Sequence, residues 1–256
     1  LTKKPADRSV VNLGKERSFI QDLKDLFEST TYSAIFHESE TRNTILESLK
    51  QVLIPACEYE AIQYFRSEDL YTYKHMLAVF CLSSFICTLL KSTVSPLETF
   101  IGSLSHDIGK CSIPKEILNK KTPLTKDERK YIEHHSLAGF VLLTYYLGNK
   151  NTISAVIARD HHENKKGTGY PTGKQNIDLQ TEIVIACDIY DALLSPRPYR
   201  SGPFENRTAL EELTKKTIGG QISEEIIKAL IAGNRQNKMK WKECQISTEY
   251  RGLYPK

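Results

Sequence analysis

LSHDIGK, residues 104–110, places an imidazole beside a carboxylate and a lysine three residues further on. The sequence around it is apolar and has the spacing of helices. A single His-Asp pair is common on protein surfaces. It indicates a functional site only when the rest of the chain supplies side chains that can act with it.

Histidine is scarce in this chain and concentrated around that stretch. Six of the seven histidines lie on or at the ends of predicted helices between residues 75 and 162, namely His75, His106, His134, His135, His161 and His162. One helical histidine is usually a surface or hydrogen-bonded core residue. Several buried imidazoles cost free energy unless something pairs them. A metal cluster does so, because neutral imidazole and carboxylate are good ligands for first-row divalent ions.

The ligand-type side chains suit two metal ions better than one. Asp107 has two oxygens and can bridge two ions. One site could be completed by His75, His106 and Asp188, and the other by His135, His161 and His162. Nitrogen and oxygen ligands without thiolate suit iron or manganese, with zinc, nickel and cobalt left open. Two ions roughly 3.5–4 Å apart would generate a bridging hydroxide and stabilise in-line attack on phosphorus.

Spacing alone does not choose between His134 and His135. On a helix the two side chains point about 100° apart, so only one is expected to face the cluster.

Charged residues near these ligands are candidates for supporting roles. Lys110 lies one helical turn from Asp107 and could meet a phosphate oxygen. Arg197 and Arg200 follow Asp188 closely, and arginine forks match phosphate geometry. Two carboxylates could orient ligating imidazoles: Glu163 and Asp191. A solvated surface position is the default for a single lysine and the more frequent one for a loop arginine, and Asp191 could equally be a helix-surface carboxylate.

Composition limits the class of protein. The chain has 256 residues, 40% hydrophobic and 26% charged, as in an ordinary globular protein. A net charge of +4 fits an anionic small ligand and does not argue for a nucleic-acid polymer. Six scattered cysteines without a CxxC pair indicate reduced thiols. The apolar run 78–90 is shorter than the roughly 20 residues of a membrane span and predicts a buried helix. We expect no signal peptide and a cytoplasmic location.

Helical periodicity dominates the chain. Residues 16–28 carry apolar side chains on one helix face, and a second amphipathic stretch runs from about Glu40 to Phe65 with a break at Pro55. Thr125 to Glu128 has the form of a capping box. EIVIACDIYDALL, residues 182–194, favours a helix over a strand. We predict a helical region over 1–68 (a sensor remnant or a dimerising arm), a catalytic domain over 69–233 and a basic tail over 234–256.

The ordered set of motifs resembles the HD-GYP family of metal-dependent phosphohydrolases. The matching elements are HDIGK from His106, HSLAG from His135, HHE from His161, GTGYP from Gly167, DIYDAL from Asp188 and RPYR from Arg197, together with the upstream His75. Each motif alone is weak, but the ordered set with GTGYP is specific. The resemblance spans residues 69–231.

The resemblance implies an all-α HD-domain bundle of about seven helices. It also implies hydrolysis of cyclic di-GMP to linear pGpG or onward to GMP. The family's metal ligands carry over to His75, His106, Asp107, His135, His161, His162 and Asp188, which selects His135 over His134. The expected cofactors are two divalent ions, iron ahead of manganese. The catalytic residues would be Asp107 and Lys110, and the substrate-binding residues Lys110, Gly169, Tyr170, Pro171, Arg197 and Arg200.

Two departures from the family pattern bear on activity and partners. Tyr71 stands where some members have a glutamate for a third metal, so we expect two ions and little or no processing beyond pGpG. Lys166 stands where aspartate usually precedes GTGYP, in the loop through which a diguanylate cyclase would dock. Three alternatives stay open: a receptor or docking module with weak or no turnover, a phosphohydrolase for another cyclic nucleotide such as cyclic GMP-AMP, and a helical protein with incidental histidines. A homodimer is a further candidate assembly.

Overall fold

The computed structural model describes residues 9–90, 96–196, 200, 202–235 and 240–255. The fold of these residues is helical, as predicted. The α-helices are α1 Arg17–Phe27, α2 Ser33–Phe36, α3 Ser39–Leu49, α4 Ala56–Glu68, α5 Leu70–Leu89, α6 Pro96–Ser105, α7 Lys115–Leu118, α8 Lys126–Glu133, α9 His135–Leu147, α10 Ile153–Asp160, α11 Leu179–Leu194, α12 Asn206–Ile218 and α13 Glu224–Gly233. The described residues also form two short strands, β1 Val10–Asn12 and β2 Leu53–Pro55.

Helix α5 lies at the centre of the core. It begins where the Asp69 side chain accepts a hydrogen bond from the backbone N–H of Thr72. Its side chains are apolar on nearly every face, the composition of a helix surrounded by other elements. By length and hydropathy it could cross a membrane, but 83% of its most apolar window is buried inside the protein. The predicted buried helix is confirmed, and the cytoplasmic location stays a prediction.

Five helices, α5, α6, α9, α10 and α11, position the polar centre described below. Helices α6 and α11 pack along α5, and α10 packs against both α6 and α9. The EIVIACDIYDALL segment forms α11, so the choice of helix over strand is confirmed. The predicted capping box is present: Thr125 and Glu128 each accept from the other's backbone N–H at the start of α8.

Residues 9–68 pack onto α5 through α1, α3 and α4. Helix α1 buries the predicted face, with Phe19, Leu23 and Phe27 in the core. The sequence did not predict the β1–β2 ribbon, which pairs Val11 with Ile54 in antiparallel register. Buried residues on both sides of residue 69 form one hydrophobic cluster. The proposed domain boundaries stay predictions.

The described part of the C-terminal tail lies on α12. The backbone N–H groups of Arg251 and Gly252 donate to Glu211, and Thr208 donates to the carbonyl of Leu253. Cys244 is buried.

Helix α4 buries a carboxyl group against α6. Glu58 is 2% exposed and accepts a hydrogen bond from Ser105. Burial raises the pKa of Glu58 to about 7, although hydrogen bonds from Ser105 and Ser154 oppose the shift. The folded state therefore favours the protonated acid.

We expect Glu58→Gln to be more stable than the parent at pH 8. The pKa of Glu58 is about 7 in the folded protein and 4.5 ordinarily. The parent therefore loses about 3 kcal/mol of stability in total as the pH rises from the ordinary pKa to the folded one. Glutamine does not titrate, so the difference in unfolding free energy between variant and parent should grow from pH 4.5 to 8. Denaturant unfolding measures it, with the exposed Glu60→Gln as control. A difference that does not change with pH contradicts the prediction.

Candidate metal centre

The fold brings all seven predicted metal ligands into one buried centre. His75 lies within α5, and His106 and Asp107 directly follow α6. His135 is the first residue of α9, and His161 and His162 directly follow α10. Asp188 lies within α11. Six of the seven are buried and His162 is half-buried. Side chains at helix ends and at the middle of two core helices thus meet in one place.

The ligand atoms form two groups, with the membership expected from the sequence. His75, His106 and Asp188 make up the His75 group, and His135, His161 and His162 make up the His135 group. Within each group the ligand atoms lie within 4.8 Å of one another.

The Asp107 carboxylate lies between the two groups and presents one oxygen to each. Its Oδ2 is 3.4 Å from His75 Nε2 and 3.5 Å from His106 Nε2. Its Oδ1 is 3.3 Å from His135 Nε2 and 3.8 Å from His161 Nε2. The geometry is the one that a bridging carboxylate requires.

Hydrogen bonds orient four of the imidazoles. The Nδ1 atoms of His106 and His135 lie 2.7 and 2.6 Å from the carbonyl oxygens of Ser103 and Ile132. His161 Nδ1 lies 3.0 Å from the Ala158 carbonyl, and His75 Nδ1 lies 2.5 Å from Asp191 Oδ2. Because these oxygens accept, Nδ1 carries the proton and Nε2 presents a lone pair to the centre.

The distances between the nitrogen atoms that carry these lone pairs indicate whether a cation fits the centre. His75 Nε2 and His106 Nε2 are 3.2 Å apart. His135 Nε2 is 3.1 Å from His161 Nε2 and 3.2 Å from His162 Nε2. Buried acceptors facing one another are unfavourable unless positive charge lies among them. The arrangement therefore fits divalent cations.

The electrostatics of the centre agree with that fit. Burial opposes ionisation of Asp107, but Lys110 and His106 outweigh it and hold its pKa well below the ordinary value. Burial lowers the pKa of His162 to about 3, which keeps the ring neutral. Burial also opposes protonation of His75, but Asp191 and Asp188 outweigh it and raise its pKa to about 9. A divalent ion would replace the proton that this field favours on His75.

Two neighbouring side chains do not join the centre. His134 is exposed, with Nδ1 2.7 Å from the carbonyl of Lys130. Cys187 precedes Asp188, but burial raises the pKa of its thiol, so it offers no thiolate. The donor set described is therefore nitrogen and oxygen only.

Lys110 reaches the centre as expected. Its ammonium group donates to Asp107 Oδ2, and the side chain is 16% exposed. It lies at the edge of the centre, where an anion could meet it.

The GTGYP loop forms a wall beside the His135 group. A Cβ at Gly169 would lie 2.3 Å from the carbonyl oxygen of His162, so only glycine permits this approach. The Tyr170 ring stacks on the His162 ring, with centroids 4.6 Å apart and planes at 30°. Pro171 follows through a cis peptide bond.

Glu163 and Asn164 hold this loop from its base. Glu163 Oε1 accepts from the backbone N–H and hydroxyl of Thr172 at 2.7 and 2.8 Å. Asn164 Oδ1 accepts from the N–H of Lys166 at 3.0 Å. The hydrogen bonds found for Glu163 thus go to the loop and not to an imidazole, whereas Asp191 pairs with His75 as expected.

Arg200, one of the two predicted arginines, lies away from the metal ligands. Arg200 donates to the carbonyls of Leu193 and Ser195 at 2.8 and 2.6 Å, and its guanidinium lies 4.8 Å from the Phe204 ring centroid. This arrangement satisfies the C-terminus of α11 and does not direct Arg200 toward the metal ligands. Arg197 lies outside the described residues.

The sequence analysis did not predict two features of the centre. Tyr32, in the turn before α2, donates a hydrogen bond to Asp191 Oδ1. Gly109 lies against the start of α9, where a Cβ would be 1.9 Å from the carbonyl oxygen of His135. The glycine of HDIGK was a signal for close approach, but no pattern pointed to Tyr32.

Comparisons with known proteins identify the family of the chain. A family model described as HD domain matches residues 67–218. A cyclic di-GMP phosphodiesterase of Pseudomonas aeruginosa is 36% identical over 144 residues, 54% of this chain and 34% of that protein. A 3'3'-cGAMP-specific phosphodiesterase of Vibrio cholerae is 30% identical over 139 residues, 54% of this chain and 32% of that protein. This chain spans about a third of the length of these relatives.

A solved structure shares the fold. The phosphodiesterase PgpH HD domain of L. monocytogenes, in complex with cyclic-di-AMP, has a TM-score of 0.52 at 18% identity, covering 68% of this chain and 93% of that chain.

We expect His135→Ala and His134→Ala to differ in bound metal, although the residues are adjacent. His135 contributes a buried lone pair to the His135 group, and His134 is exposed. The His135→Ala protein should lose metal, while the His134→Ala protein should match the parent. Elemental analysis of the purified proteins measures this. Equal metal content in the two variants contradicts the prediction.

We expect Gly109→Ala to destabilise the protein by about 1–3 kcal/mol, because the new methyl group overlaps the backbone at His135. Denaturant unfolding measures the loss. Gly202→Ala is the control, because a Cβ there meets nothing within 4 Å. The prediction is wrong if the two alanine variants unfold alike.

Proposed function

Because the chain belongs to the HD domain family, in its HD-GYP branch, we propose that it hydrolyses a cyclic dinucleotide at a binuclear metal centre. The observation that carries this proposal is the position of Asp107, whose two oxygens face the two groups of imidazoles at 3.3–3.5 Å. A carboxylate shared in this way suits a pair of ions. The HD domain family implies dependence on divalent metal.

Different residues of the chain would have different roles at such a centre. The His75 group and the His135 group would each hold one ion, with Asp107 between them. When bound, a pair of divalent ions supplies Lewis acidity and a hydroxide nucleophile at neutral pH. Lys110 adds positive charge beside Asp107, where it would balance a phosphate oxygen. Tyr170, stacked on His162, would form one wall for a nucleotide base.

The substrate we propose is cyclic di-GMP, with linear pGpG as the product. The Pseudomonas relative supports this choice, and the Vibrio relative keeps 3'3'-cGAMP as the alternative. Tyr71, on α5 four residues before His75, offers a phenol where a third metal would need a carboxylate, which supports two ions and cleavage that stops at pGpG. Iron is the metal we propose, with manganese second. Cyclase docking and a homodimer stay predictions.

We expect the parent protein, purified without oxygen, to carry about two divalent ions per chain and to convert cyclic di-GMP to pGpG. Asp107→Asn should lose activity by more than about 100-fold, because both ions lose a shared ligand. Asp127→Asn, an exposed carboxylate on α8, is the matched control.

Product chromatography with cyclic di-GMP and 3'3'-cGAMP as separate substrates decides the outcome. Preferred cleavage of 3'3'-cGAMP would overturn the proposed substrate and keep the reaction. Tight binding of a dinucleotide by the metal-loaded protein without any product would overturn the reaction and leave a receptor.

A further inference from the structure

Tyr32 connects the N-terminal segment, of which residues 9–68 are described, to the metal centre. Tyr32 lies between α1 and α2, 35 residues before the start of the HD-family match at residue 67. Its hydroxyl donates to Asp191 Oδ1, and Asp191 Oδ2 is 2.5 Å from His75 Nδ1. Three residues from separate parts of the chain thus form a continuous line of hydrogen bonds that ends on a metal ligand.

We propose that Tyr32 is a positioning residue of the metal centre, which holds Asp191 so that Asp191 holds the His75 ring. This inference deepens the proposed function and rests on it only in that the centre binds divalent ions.

The chemistry of Asp191 explains why it needs Tyr32. The carboxylate is 1% exposed, so each of its oxygens requires a donor within the protein. His75 occupies Oδ2, and Tyr32 and Ser195 donate to Oδ1, Ser195 at 3.2 Å. Without Tyr32, Oδ1 keeps the longer hydrogen bond from Ser195, and a carboxylate held less firmly could rotate together with the imidazole bonded to it.

Tyr32 is itself well fixed. It is 6% exposed, and its ring packs against Phe36, with centroids 6.2 Å apart. Phe36 in turn packs on Phe27 of α1 at 5.2 Å. Burial, reinforced by the charge of Asp191, raises the pKa of the Tyr32 hydroxyl, so it stays protonated and able to donate. The core of the N-terminal segment thus sets the position of this donor.

The surroundings indicate that losing the hydroxyl will not unfold the protein. A cavity of about 660 Å³ adjoins Tyr32, His75, Asp191 and Ser195. Water from this cavity can reach Asp191 Oδ1 when the tyrosine donor is absent. The expected effect is therefore a less ordered His75 and not a collapsed core.

The test is manganese binding by the full chain carrying Tyr32→Phe. Because Asp191 contacts His75 and no residue of the His135 group in the described contacts, one ion should bind about tenfold more weakly and the other should be unchanged. Calorimetric titration of the metal-free protein with Mn²⁺ measures the two binding affinities separately. Tyr59→Phe is the matched control, because it removes a hydroxyl in the same segment that donates to Glu16 at 2.9 Å.

A double-mutant cycle tests whether Tyr32 acts on His75 through Asp191. In an Asp191→Asn background, Tyr32→Phe should change manganese affinity by less than about twofold, because the path from residue 32 to His75 is already broken. Thermal unfolding of the metal-free proteins accompanies each titration. Unchanged affinity in Tyr32→Phe, equal weakening of both ions, or an undiminished effect in the Asp191→Asn background would each overturn the inference.

Different experimental results would contradict the proposed function and the inference about Tyr32. A parent that binds two manganese ions, weakened by Tyr32→Phe as expected, but cleaves no cyclic dinucleotide would end the proposed function and support the role of Tyr32. A parent that binds no manganese would overturn the role of Tyr32.

Discussion

In the buried centre, imidazole nitrogens with free lone pairs face one another, and this arrangement is stable only around positive charge. The nitrogens of His75 and His106 are 3.2 Å apart, and those of His135 and His161 are 3.1 Å apart. Asp107 adds an acceptor to each side. The rest of the fold provides what this requirement demands: backbone carbonyls that fix the ring tautomers, a lysine at the edge, and helices that exclude bulk water.

The sequence predicted which side chains come together in the buried centre because its motifs keep side chains and local structure together. An HD pair at the end of one helix and an HH pair at the end of another need only those helix ends to meet, and α6 and α10 do pack together. Helix positions were also predictable, because apolar periodicity and caps such as Thr125 are local. The choice of His135 over His134 came from the family resemblance, and the structure buries the first and exposes the second.

The partners of supporting side chains were not predictable, because they depend on tertiary packing. Arg200 has the chemistry of a phosphate ligand but lies on carbonyls at the end of α11. Glu163 could have oriented an imidazole but accepts from Thr172. Tyr32 and Asp191 are 159 positions apart, and no local pattern connects them. The β1 and β2 strands have three residues each, too few to show an alternating pattern.

The order of the metal-binding residues along the chain has a consequence for synthesis on the ribosome. Because a chain is made from its N-terminus, Tyr32 and His75 emerge long before α11, which carries Asp188 and Asp191. A nascent chain that ends before α11 already contains the His135 group and Asp107, but it lacks the second carboxylate of the His75 group and the acceptor for His75 Nδ1. The two halves of the centre therefore become available at different times, and the half that includes the N-terminal segment is completed last.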